Sequence, residues 1–105
     1  RLPLLALVAQ QDGFGRMHPL SPDAPYVIGR KAGCSLVVPE DFAYVSGEHC
    51  SIQAGGAPGE VLVTDMSANG TFINARRVGR GNPPAPARVG DEISLAKPSR
   101  RGGAL

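Results

Sequence analysis

The sequence predicts an all-β domain, a two-sheet antiparallel β-sandwich of about 10–11 short strands. Three observations predict it. Gly (14) and Pro (10) make up nearly a quarter of the 105 residues and are spread along the chain, which leaves little room for long helices. The apolar runs are short, and no stretch reads as a credible helix. Turn-forming clusters separate those runs at close intervals.

Leu2 to Val8 is apolar on both faces, as in a strand buried between layers. Asp12-Gly13-Phe14-Gly15 is a turn, and Arg16 to Leu20 returns as a second strand. Ser21 to Pro25 is a loop, because its two prolines remove ladder donors. Tyr26-Val27-Ile28 forms a third strand ended by Gly29, and Lys31-Ala32-Gly33 turns the chain into a fourth, Cys34 to Val38. Pro39 to Val45 reads as a longer loop and His49 to Ala54 as a fifth strand. A flexible hairpin loop over 54–59 leads into Glu60 to Thr64, where Val61 and Val63 share one face. Asp65 to Gly70 is a structured loop, since Asp, Ser and Asn side chains bond their own backbone. Thr71 to Ile73 and Arg76 to Val78 read as hairpin partners. Asn82 to Ala87 is Pro-rich and is expected as a surface loop before Ile93 to Ala96, whose Ile93 and Leu95 point inward. The domain is thus expected over 1–97, with 98–105 a linker or an incomplete last strand.

At 105 residues and 42% hydrophobic content the chain suits one globular domain with a modest core. Its net charge of +2 is too small to indicate non-specific nucleic-acid or membrane binding. No apolar run approaches the ~20 residues of a membrane span. Cys34 and Cys50 lack CxxC spacing and are expected as buried, reduced thiols of an intracellular protein. The chain begins at Arg1 rather than Met, so it is expected to be a piece of a longer protein.

Ser46 and His49 suggest a nucleophile and base, with Asp41 or Asp65 as the orienting acid, but no Gly-x-Ser-x-Gly elbow or following helix supports them. His18, Cys34, His49 and Cys50 lack zinc spacing, and Gly29 to Gly33 is too short for a nucleotide-binding loop. Neither an enzyme, a metal site nor a cofactor is therefore expected. Asn69-Gly70-Thr71 matches a glycosylation sequon, but also an Asn-Gly turn feeding a strand, which suits a reduced chain better. Arg100-Arg101-Gly102-Gly103 reads as solvated linker rather than an RNA-binding tail.

Arg30 stands apart. Gly29 before it permits a close backbone approach. Ser46 offers a hydroxyl, Gly47 an unshielded N–H and Asn69 an amide. A planar guanidinium fork with neutral donors beside it is the donor set a phosphate needs.

Gly29-Arg30, Ser46-x-x-His49 and Ser67-x-Asn69-Gly70-Thr71-x-x-Asn74, in this order and spacing, resemble the forkhead-associated (FHA) domain, as does Val89-Gly90-Asp91-Glu92-Ile93 near the end. The resemblance covers residues 1 to about 97. It implies an eleven-stranded sandwich of the FHA/SMAD-like kind that binds phosphothreonine peptides through loops at one end. By position, Arg30 and Ser46 would contact the phosphate and Asn69 the peptide main chain. Gly47 would help through its backbone alone, where the family often has Asn or Lys. His49 would brace the Ser46 loop, Gly29 would set the turn presenting Arg30, and Gly70, Thr71 and Asn74 would support the loop and ligand-side edge. Ala68 departs from the Ser or Thr common there, which implies a sparser phosphate shell, with Lys31 as a nearby compensating charge. Contacts to flanking peptide residues are expected from Glu40–Tyr44 and Ala75–Arg77.

The expected partner is a phosphothreonine protein recruited to the parent's activity, not nucleic acid or membrane. Val45 to Cys50 resembles FHA domains of mitotic checkpoint ubiquitin ligases and checkpoint kinases, which implies a nuclear setting. The rival reading is a phosphate-independent structural or homodimerisation domain using the same sandwich.

Overall fold

Alternation along the strands sorts side chains onto an inner and an outer face. The computed structural model describes residues 5–8 and 17–97. Expectations for the turn at 12–15, the start of the first strand and the segment after 97 lie outside these residues. The strands are β1 (Leu5–Val8), β2 (Met17–Leu20), β3 (Tyr26–Gly29), β4 (Leu36–Val37), β5 (Cys50–Ala54), β6 (Glu60–Asp65), β7 (Phe72–Ile73), β8 (Arg76–Arg77), β9 (Ala85–Arg88) and β10 (Ile93–Ser94).

A five-stranded sheet in the order β4-β3-β5-β6-β9 forms one layer. Its pairings place Ile28 opposite Cys50, Ile52 opposite Val63 and Val61 opposite Ala87, so these residues share the inner face. The β1-β2 hairpin and the sheet β10-β7-β8 supply the other layer. Leu7 and Leu20 from the hairpin, and Ile73, Ile93 and Leu95 from or beside the three-stranded sheet, pack on Ile28, Ile52, Val63 and Ala87. Val38, at the start of the β4–β5 loop, and Val45, within it, are fully buried in the same core. They anchor that loop, which also closes two turns through Phe42 N–H to Pro39 O (3.1 Å) and Val45 N–H to Phe42 O (3.0 Å).

The structure corrects four expectations. β3 and β4 run parallel, Ile28 beside Leu36 and Gly29 beside Val37. After Gly33 turns the chain (φ 98°), Ser35 Oγ accepts the Val27 N–H (2.9 Å), so the chain has returned to the start of β3 before β4 begins. Ala85–Arg88 is a strand, not loop, pairing only with β6. A proline is tolerated there because an edge strand leaves one row of donors without ladder partners, and the small Ala87 still reaches the core. β1 is not buried on both faces, since Leu7 packs inward while Val8 is exposed. Cys34 is partly exposed in a turn, its thiol donating to Gly47 O (3.3 Å), whereas Cys50 is buried; both are free thiols.

The β7–β8 hairpin turns on Asn74 (φ 50°) and Ala75 (φ 69°), the two left-handed residues of a type I′ turn. Asn74 adapts well to this region, but alanine pays a steric penalty there. Replacing Ala75 by Gly is expected to raise stability by about 0.5–1 kcal/mol, the relief of strain less the added freedom of the unfolded chain. Urea or thermal unfolding of the variant beside wild type checks this; an unchanged or lowered midpoint contradicts it.

Candidate functional site

The three sequence clusters meet because backbone pairing continues beyond the ends of β3 and β5. His49 N–H donates to Ile28 O (2.8 Å), Arg30 N–H to Ser46 O (3.1 Å) and Lys31 N–H to Gly47 O (3.0 Å). This approach requires glycine at 29: a Cβ there would lie 2.0 Å from Gly47 O and 2.9 Å from Glu48 Cα. Gly47 is different, for a Cβ would meet only the Lys31 Cβ at 3.7 Å. Position 47 therefore has room for a side chain that this sequence does not supply.

Arg30 is half-buried and its Nε donates to the Val45 carbonyl, which orients the guanidinium. Among the described residues its Nη groups have no partner, nor does the exposed Lys31 ammonium. Ser46 Oγ accepts the Ala68 N–H (3.0 Å), tying the loop before β5 to the loop after β6 and leaving the hydroxyl proton to donate. Asn69 Nδ2 donates to Tyr44 O (3.1 Å), while its Oδ1 has no partner among the described residues. The guanidinium, hydroxyl and amide are thus brought together at one end of the sandwich.

His49 is fully buried beneath this surface. Its Nδ1 accepts the Ser46 N–H (3.0 Å) and its Nε2 lies 2.7 Å from Gly70 O. A ring that accepts at Nδ1 and donates at Nε2 is the neutral Nε2–H tautomer. Both ring nitrogens are engaged, so neither is free to accept a proton as a general base would.

The loop after β6 is organised by Asp65, which is 3% exposed. Its carboxylate accepts five hydrogen bonds: from the Ser67 N–H (3.0 Å) and hydroxyl (2.6 Å), the Thr71 N–H (3.2 Å) and hydroxyl (2.9 Å), and the Gly79 N–H (3.1 Å). Ser67 Oγ in turn accepts the Gly70 N–H (2.8 Å). Gly70 has φ 117°, and a Cβ there would meet the Phe72 ring at 2.9 Å. The Arg77 Nε lies 3.4 Å from the same point, beside the Asn69–Gly70 turn.

Asn74, expected at the ligand-side edge, is engaged elsewhere. Its Nδ2 donates to Asp91 Oδ1 (2.9 Å) and its Oδ1 accepts the Glu92 N–H (3.0 Å), joining the β7–β8 turn to the β9–β10 turn. Both its amide nitrogen and its amide oxygen are thus used in joining these two turns.

A groove of about 780 Å³ runs beside Lys31, Ser46 and Ala68, with Arg80, Gly81 and Asn82 on its other bank. Among the described residues no group of His, Cys, Asp and Glu is arranged to hold a metal. Among the described residues no helix is long and apolar enough to cross a membrane.

The sequence profile of the FHA domain matches residues 26–96. The chain belongs to this family. Human E3 ubiquitin-protein ligase CHFR is 37% identical over 92 residues, 88% of this chain and 13% of that protein. The probable serine/threonine-protein kinase fhkA of Dictyostelium discoideum is 38% identical over 80 residues, 70% of this chain and again 13% of its own length. The chain therefore spans only a small part of the relatives it matches. The N-terminal FHA domain of S. cerevisiae Rad53p, solved with a phosphothreonine peptide, superposes with a TM-score of 0.68 at 22% identity, covering 94% of this chain and 84% of that one. The FhaA FHA domain, solved with the intracellular domain of another protein, has a TM-score of 0.62 at 28% identity and covers 86% of each chain.

Two residues beside these loops carry more than their sequence pattern disclosed. The sequence reads Asp65 as the start of a structured loop, and the structure adds its bond to Gly79, far along the chain. Arg80 passes unnoticed, although a lone side chain between two glycines marks a turn that displays it.

Burial lowers the His49 pKa, which the Gly70 carbonyl and the Asp65 charge only partly oppose. Burial by itself would raise that of Asp65, but the bonds from Ser67 and Thr71 outweigh it and hold the group below its ordinary value. Both shifts disfavour protonation of the folded state. The unfolded imidazole takes up its proton near 6.5 and the folded one only at lower pH, so stability falls as pH drops below 6.5. The Asp65 contribution is present above 3.8 and is lost as pH falls through the lower folded value. Urea midpoints are thus expected to be highest near neutrality and to decline in these two windows. Asp65→Ala, which leaves donors from three residues unanswered, is expected to cost roughly 3–5 kcal/mol. A loss below about 1 kcal/mol, the size of one ordinary hydrogen bond, contradicts the central place given to this carboxylate.

Proposed function

We propose that this FHA domain is a non-catalytic module that binds phosphothreonine in a partner protein and recruits that partner to the activity of a longer parent. The observation that carries the reading is Arg30. Its Nε is committed to the Val45 carbonyl, its Nη groups are unpartnered among the described residues, and the Ser46 hydroxyl lies on the same loop junction. An arginine held by a neutral carbonyl keeps its full charge for an anion.

In this reading Arg30 and Ser46 bind the phosphate, Lys31 adds a point charge, and the Gly47 N–H serves as a neutral donor. Asn69, steadied by Tyr44 O, uses its Oδ1 on the peptide main chain. Ala68 contributes its backbone to Ser46 rather than a hydroxyl to the ligand. Hydrogen bonds to a charged group contribute about 1.5–3 kcal/mol each, against an association cost of roughly 4–15 kcal/mol. Residues flanking the phosphothreonine must therefore add to the affinity, through Tyr44 on one side and Arg77 on the other. The checkpoint-type resemblance of Val45–Cys50 supports a nuclear setting for the parent in this reading.

Titration of a phosphothreonine peptide library is expected to yield ligands that lose at least about tenfold in affinity with Arg30→Ala, one charge-assisted bond or more. Retained affinity in that variant refutes the phosphate assignment. Binding of no phosphopeptide leaves the phosphate-independent dimerisation reading, which sedimentation of the free domain then tests.

Because position 47 has room for a side chain, Gly47→Asn is expected to strengthen the best ligand by about tenfold or more, one added bond to a charged group. Unchanged affinity in a folded variant shows that the phosphate does not reach residue 47.

A further inference from the structure

The turn after β8 brings a second cation to the groove. Gly79-Arg80-Gly81-Asn82 is closed by the Asn82 N–H to Gly79 O (3.2 Å), with Gly81 (φ 85°) in the left-handed region that the third residue of a type II turn requires. It is stapled at both ends. The Gly79 N–H donates to Asp65 Oδ2 (3.1 Å), and Asn82 Nδ2 donates to Val78 O (2.9 Å). The carboxylate that shapes the Ala68–Asn69 loop thus also fixes the turn carrying Arg80. Arg80 lines the same groove as Lys31, Ser46 and Ala68. The acids lining it are Glu48 and Asp65, and Asp65 has its oxygens occupied by internal donors. Among the described residues no ion pair engages Arg80 or Lys31.

We propose that Arg80, with Lys31, forms a second anion subsite in this groove, which selects phosphothreonine peptides carrying a further negative group close to the phosphothreonine. The inference rests on the phosphothreonine reading above. The shared chemistry is an oxyanion, a carboxylate or a second phosphate, either of which the planar guanidinium fork accepts in bidentate fashion. An exposed arginine would ordinarily be no more than solvated. Here its backbone is rigid relative to the phosphate loop, which lowers the ordering cost of using it.

The test is fluorescence anisotropy of labelled phosphothreonine peptides with neutral flanks, and of matched peptides with Asp or a second phosphothreonine scanned through neighbouring positions. Wild type, Arg80→Gln and Arg30→Ala are compared. At one or more positions the added anion is expected to strengthen wild-type binding by about three- to fivefold, the range of a solvent-exposed charge pair, and less at high salt. Arg80→Gln should abolish that gain while changing neutral-peptide affinity by less than about twofold. A gain with Asp assigns the subsite to carboxylates, and a gain only with phosphate assigns it to doubly phosphorylated ligands; both support the proposal. If the neutral peptide binds in an Arg30-dependent way but the gain is missing, or survives in Arg80→Gln, the subsite is overturned and phosphothreonine recognition stands. If wild type binds no phosphopeptide, both fall.

Discussion

The buried carboxylate of Asp65 is the constraint on which this binding surface depends. A charge at the inner end of a strand is costly unless every lone pair finds a donor. Asp65 meets that demand with donors from Ser67, Thr71 and Gly79 and with no cation. The loop after β6 and the turn after β8 are thereby drawn to one atom group. The way the charge is satisfied matters as much as the fact. Dipoles stabilise it, so the nearby cations Arg30, Lys31 and Arg80 are not consumed by an internal salt bridge.

The rest of the site follows from two further economies of the same kind. Neutral His49 joins Ser46 to Gly70 without adding charge beneath the anion site. Arg30 is steered by the Val45 carbonyl rather than by an acid. In both cases a backbone carbonyl takes the place of a carboxylate, so no acid is paired with either side chain there. Glycine supplies the geometry where contact is too close for any Cβ, at 29 and 70, but not at 47, where the space is open. The missing side chain at 47 is therefore a property of the residue chosen and not a demand of the backbone.

Much of this was legible in the chain. Alternating Val61 and Val63, the Asn-Gly turn at 69–70 and the scattered glycines and prolines indicated short strands in layers, and the spacing of Gly29-Arg30, Ser46, His49 and Asn69 resembled one family. Errors arose where neighbours outweighed local pattern. The prolines after residue 82 read as loop because only the sheet order reveals an edge. Asn74 read as part of the site because its pull from Asp91 and Glu92 is invisible along the sequence.

The sequence by itself determined the layered β architecture, since side-chain period and turn chemistry are local properties. It also determined which residues carry donors fit for an anion. Only the tertiary structure decided that β4 runs parallel to β3, that Asp65 also holds the turn after β8, and that Arg80 shares a groove with Ser46. Those outcomes depend on which distant segments satisfy a buried charge or a strand edge, and a linear pattern does not encode that pairing.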